Sequence, residues 1–212
     1  LTNFIPIFPL GIVVYPGEQL NLHIFEPRYK QLITESAATD QPFGIPAVIN
    51  ESLAEMGTLV RVVEISHLYE DGKMDVKTEG FLVFKMLELV REIPEKSYSG
   101  AIVTYPDNDF TGDRDMMNIL VKGMFQIHEK LGVSKTFSKP DTELTSYDIA
   151  HHLGLTIEEE YRVLELMLER HRQDFLKHHL AKVIPMMEEM EMLKKKIKKN
   201  GHFKNLEGFK FS

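Results

Sequence analysis

The chain contains no cysteine in its 212 residues. That excludes a disulfide framework, a thiolate zinc site and a cysteine nucleophile, and it fits a reducing cytosol. No apolar run reaches the 18 or more residues of a membrane span, and no signal-peptide pattern is visible. No G-x-x-x-x-G-K-[ST] loop and no Gly-x-Ser-x-Gly elbow occur. His128-Glu129 opens like a zinc-binding helix motif, but the position four after His128 is Gly132, so the second ligand is absent. There is no internal repeat.

What remains is ordinary globular composition, 43% hydrophobic and 27% charged. A chain of this length buries roughly 70% of its unfolded surface, enough for one large domain or two small ones. The net charge of −7 is uneven. Residues 1–145 carry 21 acidic and 13 basic side chains, and the remainder 11 and 12. The acidic first part repels phosphate backbones, which disfavours nucleic acid as a partner.

Residues 4–105 read as β-rich. Ile5–Leu10 is apolar, and Pro6 and Pro9 confine it to extended or edge geometry. Leu20–Ile24 alternates apolar and polar, as a half-buried strand does. Pro27 opens a helix to about Ala37, with Leu32 and Ile33 facing inward. Further strands are expected at 43–49, 58–69, 74–89 and 97–105, with 50–55 as a loop. Asp71-Gly72 marks a hairpin, because this pair favours a type I′ turn. Gly80 inside the return strand suggests a bulge that bends the sheet. From Asp113 the period becomes helical, through Met117, Leu120, Met124, Ile127 and Leu131 to a C-cap at Gly132. Residues 134–143 read as a loop and Ser146–Leu153 as a short helix. Thr156 and Glu159 form a capping box for the next helix. A long helix is expected over 170–199, with a seam of Leu176, Leu180, Val183, Met187, Met190 and Ile197, kinked at Pro185.

The run from Phe8 to Tyr29, FPLGIVVYPGEQLNLHIFEPRY, resembles the opening of the substrate-binding N-terminal domain of the Lon ATP-dependent proteases. Ile24–Ile33 is most similar to stand-alone members of that family and to the corresponding domain of cereblon. Gly57-Thr58-Leu59-Val60-Arg61-Val62, and Asp71-Gly72-Lys73 leading to Thr78-Glu79-Gly80, extend the match, which covers roughly 4–199. The resemblance implies an α+β fold: a PUA-like small β-barrel with one helix over 1–110, a helical bundle ending in a long helix over 111–199, and a tail over 200–212. It implies a non-catalytic module, because the serine–lysine dyad and ATPase of full-length family members have no counterpart here. No cofactor and no metal site follow from it.

Two apolar patches stand out as peptide contacts. One is Phe25, Arg28 and Tyr29 at the start of the first helix, an aromatic wall with a guanidinium for peptide carbonyls or carboxylates. The other is Phe81 with Val83 on the return strand, on a face that begins polar. Each has a blander alternative: Tyr29 as core, and Phe81 covered by the helical region. His171, Asp174 and His178 share a helical face, which reads as a solvated polar face rather than a metal site. Ser146–Leu168 looks like a helix-turn-helix, but Glu158, Glu159 and Glu160 at the start of its second helix oppose DNA contact. The expected function is binding of unfolded or partner polypeptide in the cytoplasm. The alternatives are an RNA-binding PUA-like module, or an oligomerisation unit built on the Met-rich long helix, whose Lys194–Lys199 end is basic.

Overall fold

Alternating side chains set the strands, and glycines set how they bend. The computed structural model describes residues 3–204, with side chains through residue 198. Six strands come first: β1 (Asn3–Pro6), β2 (Gln19–Ile24), β3 (Phe43–Ile49), β4 (Ser52–Leu68), β5 (Met74–Val90) and β6 (Gly100–Thr104), with helix α1 (Pro27–Thr39) between β2 and β3. All strand pairs are antiparallel, in the order β1-β6-β5-β4-β3, with β2 also on β5. The segment after β1 returns to β3 through parallel bridges Ile7–Gly44 and Leu10–Ala47. The Phe8 amide donates to Gly44 O at 2.8 Å and the Val48 amide to Leu10 O at 2.7 Å. These contacts curl the sheet shut and hide its edges there.

Two turns differ from the sequence expectation. The 50–55 loop is absent: Asn50 and Glu51, at φ 49° and 62°, make a two-residue turn, and β4 starts at Ser52. Two left-handed residues are what a type I′ turn requires. The Asp71-Gly72 hairpin exists, but as a longer loop in which only Gly72 is left-handed, at φ 74°. The Asp71 carboxylate accepts the Lys73 amide at 3.1 Å and holds Asp71 in an ordinary conformation. The bulge at Gly80 is present. Val60 pairs with Gly80 and Leu59 with Leu82, which leaves Phe81 without an opposite residue.

Helix α2 (Arg114–Leu131) is capped by the Asp113 carboxylate, which accepts the Met116 amide at 3.0 Å, and it ends at Gly132, φ 66°. Met117, Leu120, Met124 and Ile127 are buried as expected, whereas Leu131 is exposed. A 3₁₀ turn occupies 141–143 inside the expected loop. Helix α3 (Ser146–Ile149) passes through a 3₁₀ turn to Gly154. Helix α4 (Ile157–Glu165) carries the Thr156–Glu159 capping box. Helix α5 (Glu169–Lys204) runs through Pro185 and five residues past the expected end. The rest of the expected tail, 205–212, lies outside the described residues.

Leu176 and Leu180 of α5 pack on α2, where a Cβ at Gly123 would stand 2.7 Å from Leu180 Cδ1. The helices and the barrel share one core, because Val13, Tyr15, Ala47, Met56 and Val83 cluster with Leu120, Met124, Leu153 and Val163. Phe43, Ile24 and Val60 of the sheet with Ile33 of α1 form a second cluster, and Phe84, Ile7 and Leu59 a third.

Candidate functional site

The structure separates the five residues that the sequence grouped into patches. Phe25 follows β2 and is 58% exposed. Arg28 lies in the first turn of α1, where its guanidinium pairs with Glu26 at 2.8 Å and sits 4.5 Å over the Tyr29 ring. Tyr29 itself is core: its ring packs 4.0 Å from Phe8, and burial pushes its phenol pKa up. Phe81 is exposed on the bulge. Val83 is fully buried against the helical core and cannot meet a ligand, a correction to the sequence reading. The reason is the barrel itself: helices cover the outer face of β5 at Val83, while its neighbour Phe84 fills the inside. Phe25 and Phe81 belong to different places. Ile24 pairs with Met74, seven residues along β5 from Phe81, or about 20 Å at strand rise.

Around Phe25 the sheet narrows to three strands, whose inner face stays buried against α1 through Leu22, Ile24, Met74 and Val76. Pairing of β3 with β4 stops at Phe43–Val60, and beyond it β4 pairs only with β5 among the described residues. β2 likewise pairs only with β5. Among the described residues, 19–24, 74–79 and 61–68 therefore make a three-stranded arm with two edges that no strand pairs. Bulges that leave Val63 and Ser66 unopposed interrupt β4. Val63, Ile65, Leu68 and Tyr69 are exposed. At the tip the rings of His67 and His23 lie 4.3 and 5.9 Å from Tyr69. Asp75 ties them together, 2.7 Å from His23 Nδ1 and accepting the Tyr69 hydroxyl at 2.8 Å. Those hydrogen bonds, first from His23 and then from Tyr69, hold the Asp75 pKa below the usual carboxylate range.

A second concavity, about 770 Å³, opens between the barrel turn 12–20 and the helices. At its wall His151 is clamped between Glu160 (2.7 Å) and Glu18 (3.2 Å), with its ring 4.6 Å from Tyr15. Burial alone would lower the His151 pKa. Hydrogen bonds to the two carboxylates, Glu160 then Glu18, outweigh it and push the value up to about 9. The Tyr15 phenol donates to Glu160 O at 2.8 Å, and burial, then the charges of Glu160 and Glu18, raise its pKa. Lys139 pairs with Asp148 at 2.7 Å on the same wall.

The sequence reading missed Arg172, which is fully buried. It donates to Glu169 (2.8 Å), Asn108 Oδ1 (2.8 Å), Leu166 O (2.6 Å) and Asp109 O (2.7 Å), and lies 4.2 Å over the Tyr147 ring. The Glu-x-x-Arg spacing was visible, but nothing local signals burial. His171, Asp174 and His178 lie on the exposed side of α5, where His178 Nδ1 contacts the Asp174 carbonyl. Among the described residues no three His, Asp or Glu side chains are placed to hold a metal, and no helix is long and apolar enough to cross a membrane.

Two solved structures share this fold. The Lon N-terminal domain protein from Xanthomonas campestris superposes with a TM-score of 0.62 at 20% identity, over 85% of this chain and 98% of that one. The N-terminal domain of Lon protease from the Mycobacterium avium complex gives 0.64 at 11% identity, over 85% and 100%. At such identities the likeness establishes the fold. Residues 5–182 match the family described as the ATP-dependent protease La (LON) substrate-binding domain. The chain belongs to this family. The Lon substrate-binding domain is non-catalytic, and the PUA-like, α+β architecture expected from the sequence is the one observed.

Proposed function

We propose that this Lon substrate-binding domain holds extended polypeptide on the arm, without catalysis. The observation that carries the reading is the edge of β4 over 61–68. Among the described residues no second strand pairs with its backbone, and Val63, Ile65 and Leu68 stand exposed along it. A guest strand hydrogen-bonds to such an edge whatever its sequence, and apolar side chains add shallow contact. That combination gives weak affinity and broad tolerance. Phe25, with Arg28 beside it, extends the apolar surface at the arm's tip, and Phe81 offers a separate contact at the bulge. The acidic barrel half disfavours RNA.

Fluorescence anisotropy of a labelled, permanently unfolded model protein titrated with this domain tests the reading. Saturable binding in the micromolar range is expected, with loss in V63K/I65K/L68K at unchanged circular dichroism. No binding at high micromolar concentration, or undiminished binding by the triple variant, overturns it.

A further inference from the structure

The distal part of α5 presents an apolar seam that stays exposed among the described residues. Met186, Met190, Leu193 and Ile197 recur at steps of 4, 3 and 4, the spacing of a two-helix contact, and are 53–62% exposed. Met187 is partly buried on the helical core, and Glu191 reaches Lys130 of α2 at 3.4 Å, so the seam points away from the body. Its flanks are split by charge. Glu188, Glu189 and Glu191 precede Leu193, and Lys194, Lys195, Lys196 and Lys198 follow it.

We infer that this seam pairs with the same seam of a second copy of the chain, antiparallel, about a two-fold axis between Glu191 and Met192. Turned end for end, a second α5 lays Met186 beside Ile197 and Met190 beside Leu193. The same turn sets Glu188 and Glu189 against Lys194, Lys195 and Lys196. Each copy then covers the other's apolar row and neutralises its charge block. An in-register parallel pair instead stacks acid on acid and lysine on lysine. A generic apolar partner would not need the sign change midway along the helix.

Sedimentation velocity of the whole chain in low salt is expected to give twice the 24.5 kDa chain mass. The variants E188K/E189K and K194E/K195E/K196E each weaken self-association at least about tenfold, because each sets like charge against like across the two-fold axis. Mixed together, they regain the doubled mass. The natural absence of cysteine makes orientation readable: Met186→Cys mixed with Ile197→Cys cross-links on oxidation, and Met186→Cys alone does not. A monomer at high micromolar concentration overturns the inference. So do charge variants that associate undiminished, or a Met186→Cys self-cross-link that signals a parallel pair.

Discussion

His151 Nε2, on the turn after α3, lies 3.2 Å from Glu18 on the barrel, and Glu160 of α4 holds the other ring nitrogen at 2.7 Å. An imidazolium donates from both nitrogens and so satisfies a carboxylate on either side of the barrel–helix junction. The same Glu18 oxygen accepts the Tyr15 amide at 2.9 Å, which fixes the barrel end of the contact.

The His151 pKa is raised to about 9 in the folded chain, so folding takes up a proton between that value and the unfolded one of about 6.5. The contribution is fully present below pH ~6.5 and is lost as pH rises through about 9. Its size is at most about 3 kcal/mol. His152 beside His151 does not reverse the sign, because burial, then the charge of Lys135, lowers the His152 pKa. Urea midpoints measured from pH about 6 to about 10 are expected to fall across this window, and His151→Gln to flatten the fall. A wild-type midpoint that is constant or rising there refutes the linkage.

Arg172 and Glu169 form an ion pair at 2.8 Å with both side chains essentially inaccessible. The Glu169 carboxylate also accepts the Ser146 amide at 2.8 Å, so it remains buried if the guanidinium is removed. Breaking one side of such a pair costs about 3–5 kcal/mol. Arg172→Met is therefore expected to lower Tm by roughly 10 °C for a domain of this size. Arg172→Met together with Glu169→Gln should recover part of that loss. Calorimetry of the two variants checks both expectations, and an equal Tm for Arg172→Met and wild type rejects the role.

Much of this was legible from local chemistry. Alternation placed Leu20–Ile24, the hydroxyl–carboxylate spacing placed the Thr156–Glu159 box, and glycine placed the Gly132 cap. The turn at 50–51 was hidden because Glu51 carries no signal for its left-handed backbone, which the paired strands impose. Val83 was misplaced because alternation says which face a residue takes, but not which face the helices cover. His151 and Arg172 were invisible as junctions. Glu18 is 133 residues from His151, and Asn108 is 64 from Arg172. The arm escaped notice because an unpaired edge depends on where β3 stops, a property of the assembled sheet.

Gly80 links the bulge to that junction. Its amide donates to Glu18 O at 2.9 Å, its carbonyl accepts the Gly17 amide at 2.7 Å, and a Cβ there would stand 2.6 Å from Tyr15 O. Gly80→Ala must displace backbone that carries Glu18, so it should destabilise by about 1–3 kcal/mol. It should also shrink the pH-dependent fall described for His151, since Glu18 shifts with the turn. Urea unfolding of Gly80→Ala at two pH values reads both effects, and a wild-type midpoint with a wild-type pH slope counts against the link.

The two aromatic positions and Val83 divide cleanly by exposure, so substitution separates them. Phe25→Ala and Phe81→Ala remove exposed rings, and each should change stability by no more than about 0.5 kcal/mol. Val83→Ala removes two methyl groups from a fully buried site between β5 and the helices, at a cost of about 2 kcal/mol through lost burial and a residual cavity. Polypeptide affinity should follow the opposite order. Phe25→Ala at the arm's tip weakens it severalfold, and Val83→Ala leaves it unchanged at temperatures where the variant stays folded. Measuring urea midpoints and anisotropy titrations on the same three proteins tests both orders at once. If Val83→Ala weakened binding while Phe25→Ala did not, the arm would lose its place as the polypeptide surface.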